Sequence, residues 1–427
     1  MNKPAYIAAL IIIAVLSANL TNPAYADEDA FDALDKLLED NFIDIDRSLE
    51  ERYQLLNDAL ERGYLRLSAE VAESWGSDEA RLPSKKEWVD YSSDLRTRRT
   101  INFETGSISI ERIIDINEDL NQIVADLQSA STSILQDSVT DLASKDLALA
   151  YARESLAEDG IILPQGPIST KPVLANMRKP PEIAELSLLV EGVLKNPGSR
   201  QSYPNSLTEP DPMPIFVSTQ ILTNNSTKVS LELPLNKGYN FKLANQYIAN
   251  ISREAKKQNL PSSLLFAVME TESSFNPMAR SPVPAFGLMQ LVPSSGAMDA
   301  YEYVYGDKVL LGPDYLYLAD NNVELGAAYL SLLHNRYLRH ITDPLARRYC
   351  AIAAYNTGAG NVARSFTGST NVRKAAKLIN ELTPAEVYDH LREKLPHEET
   401  RRYVEKVIRA MKKYTVYDSQ TLKETGI

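Results

Sequence analysis

The pattern of hydrophobic and polar positions divides the chain into regions of different character. Residues 27–163 have mainly helical patterns, apart from one stretch in which apolar residues alternate with polar ones. In TINFETGSISI, at residues 100–110, this alternation is present on both sides of the glycine-containing turn ETGS. Alternation with a period of two around a short turn predicts a β-hairpin. This N-terminal domain is therefore predicted to be mainly helical with one hairpin.

Three arginines, Arg96, Arg98 and Arg99, stand just before the predicted hairpin. Such a group can form an anion site. In an acidic region, however, a solvent-exposed face that balances nearby carboxylates is the more favourable interpretation. The three side chains are therefore predicted to lie in solvent.

Proline dominates the middle of the chain, where residues 164–234 hold 11 of its 23 prolines. Proline at this density blocks long helices, because it lacks the amide hydrogen and clashes with the preceding turn. Residues 164–238 are therefore predicted to form an extended connector that wraps over or between domains.

After residue 239 the apolar positions follow a helical period throughout. Several apolar stripes recur at spacings of three and four, and TPAE at residues 383–386 combines a capping box with proline at the first helical position. Residues 239–427 are therefore predicted to form an all-α domain. The chain as a whole is predicted to be α+β.

Length and charge limit the class of protein. At 427 residues and a net charge of −12, the chain is long enough for two or three folded units and too acidic overall to bind nucleic acid through its net charge. The charge is uneven, since residues 27–239 hold 21 basic and 38 acidic side chains, whereas residues 240–427 hold 23 basic and 19 acidic ones. The C-terminal half is therefore suited to an acidic polymer.

Cysteine and histidine usage argues against a metal centre. The single cysteine, Cys350, excludes an intramolecular disulfide and a cysteine metal cluster, and the 4 histidines lie at no zinc-enzyme spacing. We expect neither a metal nor a cofactor.

The N-terminus resembles a targeting segment. Lys3 is followed by the apolar stretch YIAALIIIAVL at residues 6–16 and by Ala-Tyr-Ala at 24–26. A basic start, a short apolar stretch and a small-x-small cleavage site predict a signal peptide at residues 1–26 and export of the chain. The alternative, an uncleaved membrane anchor, requires about 20 apolar residues. Since no cysteine stands at the cleavage point for lipid attachment, membrane anchoring is not expected.

One carboxylate lies on the apolar face of a predicted helix. Leu265, Val268 and Met269 stand seven, four and three residues before Glu272, so all four side chains share one face. Glu270 points elsewhere and can reach water. Burial and a position in the last helical turn both oppose negative charge, so the pKa of Glu272 is predicted to be raised, as a general acid near neutral pH requires. The alternative is a structural carboxylate that closes the helix end.

Further candidate site residues stand in three patches. The loop at residues 281–293 is rich in proline and glycine, and long loops of this kind often line sites. The other two are a helix end followed by glycines, at 353–360, and a helix start, at 399–404. The candidate side chains in these patches are Gln290, Tyr355, Asn356, Glu399 and Tyr403.

Taken together, these patches resemble a known family. ESSFNP at 272–277, GLMQ at 287–290, AYNTG at 354–358 and ETRRYV at 399–404 are similar to the ordered motifs of the lytic transglycosylases that cleave bacterial peptidoglycan. Residues 27–163, and especially residues 91–111, resemble the N-terminal domain of the membrane-bound lytic murein transglycosylase C family. The resemblance implies a goose-type lysozyme-like fold for the C-terminal domain.

The resemblance also implies roles for the candidate residues. Glu272 falls on the catalytic glutamate, and Ser281, Gln290, Tyr355, Asn356, Glu399 and Tyr403 fall on positions that line the sugar cleft. Glu272 is then expected to act first as acid and later as base, giving a 1,6-anhydro end without consuming water. The implied partners are peptidoglycan strands, and cell-wall proteins through the N-terminal domain; the implied location is the periplasm or cell envelope of a Gram-negative bacterium. A lysozyme-type hydrolase and a catalytically silent wall-binding scaffold remain alternatives.

Overall fold

The computed structural model of the chain describes residues 28–115, 117–203, 213–222 and 226–418, with side chains from residue 47 onward. The predicted signal peptide lies outside the described residues. The chain divides into two compact units, residues 1–51 and 52–427. The described residues of the first unit are helical, and all features below belong to the second. Among the helices of the described residues, none has the length and apolar character needed to cross a membrane.

The N-terminal half is built on an antiparallel sheet. Its strands are β1 (Glu87–Tyr91), β2 (Thr97–Asn102), β3 (Ser107–Ile114), β4 (Arg200–Tyr203), β5 (Ile215–Ile221) and β6 (Thr227–Pro234). Six strands are paired in the order β1-β2-β3-β6-β5-β4. The predicted hairpin is confirmed, because β2 pairs with β3 in a register that places Ile101 opposite Ile108, and both side chains are fully buried.

The segment predicted as a connector completes this sheet. It contributes the helix α5 (Ile183–Lys195) as well as β4, β5 and β6, and β6 pairs along the whole of β3, with Leu231 opposite Ile110. The prolines of the segment stand outside these elements, apart from Pro234 at the end of β6. Proline is tolerated at strand ends and in loops, so its high frequency did not prevent strand formation. The segment is therefore a structural part of the sheet and not only a linker.

The helices of this half are α1 (Glu28–Trp75), of which residues 52–75 belong to the second unit, α2 (Leu120–Gln136), α3 (Val139–Lys145) and α4 (Leu147–Glu158). The end of α1 enters a hydrophobic cluster with β1, in which Trp75 is fully buried together with Val71 and Val89. The Trp75 indole donates a hydrogen bond to the Leu95 carbonyl at 2.6 Å, so its one polar atom is satisfied.

The prediction of a solvent-exposed arginine face is wrong for two of the three arginines. Arg98 is fully buried and forms an ion pair of 2.6 Å with Glu111 on the neighbouring strand. Arg99 is 8% exposed and pairs with Asp137 at 3.0 Å. Arg96 is partly exposed and pairs with Asp115 at 2.9 Å. The region is acidic, but the fold places carboxylates directly against these guanidinium groups, two of which are buried.

The C-terminal half is all-α, as predicted. Its helices are α6 (Tyr239–Asn245), α7 (Ile248–Gln258), α8 (Ser262–Ser273), α9 (Met298–Tyr305), α10 (Pro313–Leu316), α11 (Ala319–Leu332), α12 (Pro344–Thr357), α13 (Ala359–Thr367), α14 (Val372–Ile379), α15 (Pro384–Lys394) and α16 (Glu398–Tyr414). The predicted capping box is formed by Thr383 and Glu386. Helices α8 and α16 pack side by side through Phe266 and Tyr414, whose rings stack at 5.3 Å.

Candidate active site

Glu272 lies in the last turn of α8 and is 6% exposed. The helix stops because the next two residues, Ser274 and Phe275, adopt the left-handed conformation with φ of 53° and 66°. This conformation is uncommon for residues with a side chain and marks a backbone that its surroundings hold in place. The sharp turn sends the chain back across the end of the helix, so that Glu272 is covered instead of exposed.

The loop after α8 packs closely against this helix end. Ser273 donates a hydrogen bond through its hydroxyl to the Leu288 carbonyl at 2.8 Å. Gly287 has φ of 77°, and a Cβ atom there would lie 2.3 Å from the Leu316 carbonyl oxygen. Only glycine fits this close approach without displacing backbone.

Asn322, on α11, holds the same loop from the other side, and no motif in the sequence singled it out. It is fully buried and uses both amide atoms: Nδ2 donates to the carbonyls of Phe286 at 2.9 Å and Leu316 at 2.7 Å, and Oδ1 accepts from the Met289 amide at 2.7 Å. A fully bonded buried amide of this kind fixes a loop in one conformation. Asn322 stands among polar residues in ADNNVE at 319–324, so no local pattern marked it as buried.

Gln290, at the end of the loop, has one side-chain polar atom that is hydrogen-bonded and one without a partner among the described residues. It is 7% exposed, and its Nε2 donates to the carbonyls of Ala279 at 3.0 Å and Gly287 at 3.1 Å. Its Oε1 is buried and has no hydrogen-bond partner within the described part of the chain. A buried acceptor without a partner is costly, and a ligand N–H group can satisfy it.

Two buried tyrosines complete the surroundings of Glu272. The Tyr355 hydroxyl donates to the Met289 carbonyl at 2.7 Å, and the Tyr403 side chain is 5% exposed. The Tyr403 phenol lies beside the Glu272 carboxyl, and this polar contact lowers the pKa of Glu272. The Tyr403 hydroxyl nevertheless forms no hydrogen bond of ordinary geometry with a described residue. Burial and the nearby Glu272 in turn hold the pKa of both phenols far above the usual value, so both are neutral donors.

The pKa of Glu272 is raised to about 7. Burial is the main cause, since it disfavours the charged carboxylate, and the negative charge of Glu399 adds to it. The Lys85 ammonium group and the Tyr403 phenol act in the opposite direction. A carboxyl with this pKa can both give and accept a proton near neutral pH.

Lys85 comes from the loop before β1 and was not singled out in the sequence. Its Nζ lies 3.6 Å from the Glu399 carboxylate, and its backbone carbonyl accepts a hydrogen bond from the Asn276 amide at 3.3 Å. The N-terminal half thereby places a cation beside Glu272. Because this contact joins segments far apart in the chain, no local pattern could have revealed it.

Glu270, Asn356 and Ser281 each have a partner within the protein. Glu270 forms an ion pair with Lys413 at 2.7 Å, so it is not simply directed to water. Asn356 accepts a hydrogen bond from the Thr400 hydroxyl at 2.7 Å and thus ties α12 to α16. The Ser281 hydroxyl donates to the Val283 carbonyl within its own loop.

Comparison with known proteins finds two family models that match different parts of the chain. The family model described as membrane-bound lytic murein transglycosylase C, N-terminal domain, matches residues 53–138, and the model described as transglycosylase SLT domain matches residues 249–378. Membrane-bound lytic murein transglycosylase C of Klebsiella pneumoniae is 32% identical over 81% of this chain and 86% of its own length. The protein of that name from Actinobacillus pleuropneumoniae is 32% identical over 82% of this chain and 85% of its own length.

This chain belongs to the membrane-bound lytic murein transglycosylase C family. It is therefore a lytic transglycosylase, a lyase that acts on peptidoglycan.

Solved structures similar to the transglycosylase cover a smaller part of it. An inactive mutant of lytic transglycosylase Slt from Pseudomonas aeruginosa is 30% identical, with a TM-score of 0.30, over 40% of this chain and 24% of that one. A soluble lytic transglycosylase from Escherichia coli is 25% identical, with a TM-score of 0.29, over 42% of this chain and 24% of that one. The match thus spans about a quarter of each of those longer proteins.

A large cleft lies next to the Glu272 site of the transglycosylase. Its volume is about 1210 Å³, and its walls are α1 from Tyr53 onward, the loop before β1 and the loop at residues 280–284. Glu272 itself is not part of the cleft lining in the described structure, but Lys85 and Ser281 are. Lys85 therefore links the cleft to the buried carboxyl.

Proposed function

We propose that the transglycosylase cleaves the β-1,4 bond between N-acetylmuramic acid and N-acetylglucosamine without water and leaves a 1,6-anhydro end on the muramoyl residue. The observation that supports this most directly is the environment of Glu272, a buried carboxyl with a pKa of about 7. Most glycosidases instead use a pair of carboxylates that flank the scissile bond. The Glu399 carboxylate, which raises the pKa of Glu272, is exposed and paired with Lys85.

One carboxyl group is sufficient for this reaction. Protonated Glu272 gives its proton to the glycosidic oxygen, the bond from that oxygen to C1 of the muramoyl residue breaks, and the N-acetyl group stabilises the positive charge that develops on the ring. The resulting carboxylate takes the proton of the C6 hydroxyl, whose oxygen then bonds to C1. The C6 hydroxyl belongs to the same sugar, so proximity takes the place of an ordered water molecule.

The neighbouring polar groups are proposed to hold the sugars. The Gln290 Oε1 and the Tyr403 hydroxyl are buried without a partner among the described residues, and both are suited to N-acetyl and hydroxyl groups. Tyr355, Glu399, Ser281 and Asn356 are proposed to line the sugar-binding site around Glu272. Tyr355 and Asn356 act mainly by fixing the loop and the two helices beside Glu272, since the Tyr355 hydroxyl and the Asn356 Oδ1 bond to protein.

Digestion of purified peptidoglycan in water enriched in heavy oxygen tests the reaction. We expect mass spectrometry to find anhydro ends without the heavy isotope. Reducing ends that carry the heavy isotope would support the hydrolase alternative and contradict the proposal. An absence of released fragments with well-folded protein would support the silent scaffold.

We also propose that the enzyme works in the cell envelope after export. The relatives are named as membrane-bound proteins, so they do not support the expectation that this chain lacks an anchor. That expectation rests on the sequence, in which no cysteine stands directly after residues 24–26. Cell fractionation together with N-terminal sequencing of the mature protein distinguishes a cleaved, released form from a retained one. Recovery in the cytoplasm would contradict the proposal.

A further inference from the structure

The large cleft beside the active site contains a buried cation that no carboxylate of the described residues neutralises. Arg280 is 8% exposed, and its guanidinium group lies over the Tyr64 ring at 3.3 Å from the centroid. Within the described structure, its Nη1 atom is buried without a hydrogen-bond acceptor, and the Tyr64 hydroxyl is likewise buried without a partner. Two unsatisfied polar groups, one from α1 and one from the loop after α8, therefore meet at the same wall of the cleft.

The other charged residues that line the cleft have partners or are exposed to solvent. Lys86 forms an ion pair with Glu104, and Lys85 pairs with Glu399. The carboxylate of Glu87 accepts a hydrogen bond from Asn102 at 2.6 Å. Glu61 also lines the cleft, but it is exposed to solvent on α1. Arg280 thus differs from the two lysines in being both buried and, among the residues described, without a counter-charge.

The lack of a counter-charge changes the chemistry of Arg280. Burial lowers its pKa to about 10, and the group among the described residues that acts in the opposite direction is Tyr317. The aromatic contact with Tyr64 offsets part of the cost of burying the cation. The remaining cost would be recovered by an anion with two oxygens, because the planar guanidinium group matches a carboxylate in a bidentate geometry.

We propose that Arg280 binds a carboxylate of the peptide attached to the muramoyl residue of peptidoglycan. This inference rests on the proposed function, since it names a further part of the same substrate. Ser281, the next residue, and Lys85 both line the cleft, and Lys85 also lies near enough to Glu272 to lower the pKa of its carboxyl. The peptide of a glycan strand bound at Glu272 is proposed to enter this cleft, between α1 and the loop before β1. The Tyr64 hydroxyl, which is also without a partner among the described residues, is a second donor at this wall of the cleft.

Comparison of two substrates tests the assignment. Intact peptidoglycan carries the peptides, and strands treated with an amidase do not. We expect Arg280→Gln to lower kcat/KM on intact peptidoglycan about 10- to 100-fold, the loss typical of a charged hydrogen bond, and to leave the rate on stripped strands unchanged. Arg280→Lys should retain part of the activity on the intact polymer. Arg373→Gln, on the exposed surface of α14, is the matched control and should behave as wild type on both substrates.

Equal losses on both substrates would overturn the proposal, because they would mean that Arg280 supports the fold or the chemistry. No loss on either substrate would also overturn it. Failure of the proposed reaction has a separate signature, since wild-type enzyme would then release no anhydro ends from stripped strands.

A binding measurement on the wild-type protein does not depend on how the variants fold. We expect a soluble muramoyl peptide with free carboxylates to bind in calorimetry, and the same peptide with amidated carboxyl groups to bind at least about 10-fold more weakly. Equal affinity for the two peptides would contradict the assignment.

Discussion

Lys85 and Glu399 form an ion pair between the loop before β1 and the start of α16, with Nζ 3.6 Å from Oε1. The Glu399 side chain is 75% exposed, so the pair adds little to stability. Its effect is electrostatic, because the ammonium group lowers the pKa of Glu272 while the carboxylate raises it. The proton affinity of the proposed acid thus depends on a residue from the other half of the chain.

The substitution Glu272→Gln should abolish peptidoglycan cleavage, with a loss of at least about 100-fold, because the amide can neither give nor accept the proton. Release of soluble fragments from purified peptidoglycan measures the effect. Glu270→Gln, on the same helix, removes an ion pair with Lys413 and should retain wild-type activity. Comparable activity of Glu272→Gln and wild type would exclude the single-carboxyl mechanism.

Activity should fall as the pH rises through about 7, the pKa of Glu272. The acid step needs the protonated form, and the fraction of that form decreases above the pKa. The rate on soluble glycan strands, measured on both sides of neutral pH, should follow one ionisation on the alkaline side. A rate that stays constant well above pH 7 would show that another group donates the proton.

Replacing Lys85 by methionine should move this alkaline midpoint to higher pH. The ammonium group favours the carboxylate form of Glu272, so its removal makes the proton harder to lose. Lys86→Met is the control, since the neighbouring lysine pairs with Glu104 and should leave the midpoint unchanged. Identical pH profiles for Lys85→Met and wild type would contradict the proposed coupling.

Two glycines with similar backbone conformation should respond differently to alanine. Gly306 has φ of 75° and open space where the methyl group of an alanine would lie, so Gly306→Ala should cost about 1 to 2 kcal/mol. Gly287 has φ of 77° and a carbonyl oxygen 2.3 Å from that position, so Gly287→Ala should cost about 3 to 5 kcal/mol and lower activity. Urea denaturation compares the free energies of unfolding, and similar values would mean that the loop adjusts freely.

The buried ion pairs of the sheet should contribute more to the free energy of unfolding than the exposed ones. Glu111 pairs with Arg98 at 2.6 Å and with Lys228 at 2.8 Å, and all three side chains are buried. Glu111→Gln should lower the free energy of unfolding by about 3 to 5 kcal/mol, because it leaves two buried cations undercompensated. Glu232→Gln breaks the exposed pair with Arg200 and should cost less than about 1 kcal/mol. Equal costs in chemical denaturation would contradict this order.

The sequence predicts the local features of this protein and misses the distant ones. The hairpin was predictable because alternation and turn lie within a few residues, and the burial of Glu272 followed from apolar residues on its own helix. The pairing of β3 with β6 was missed because it joins segments separated by several helices and many prolines. For the same reason, the positions of Lys85 and of Arg280 over Tyr64 were not predictable: in each case the two contacting residues lie in different parts of the chain.

The pairing of β3 with β6 also determines where the protein can be divided. A fragment that ends at residue 163 would lack β6, and β3 would then expose one row of unpaired backbone groups beside buried apolar residues such as Ile110. Unprotected strand edges of this kind pair with other chains and promote aggregation. β6 is the last strand of the sheet along the chain and lies between β3 and β5. The N-terminal half can therefore complete its fold only after residue 234 has been made. A soluble N-terminal fragment should therefore end after residue 234 and not before the proline-rich segment.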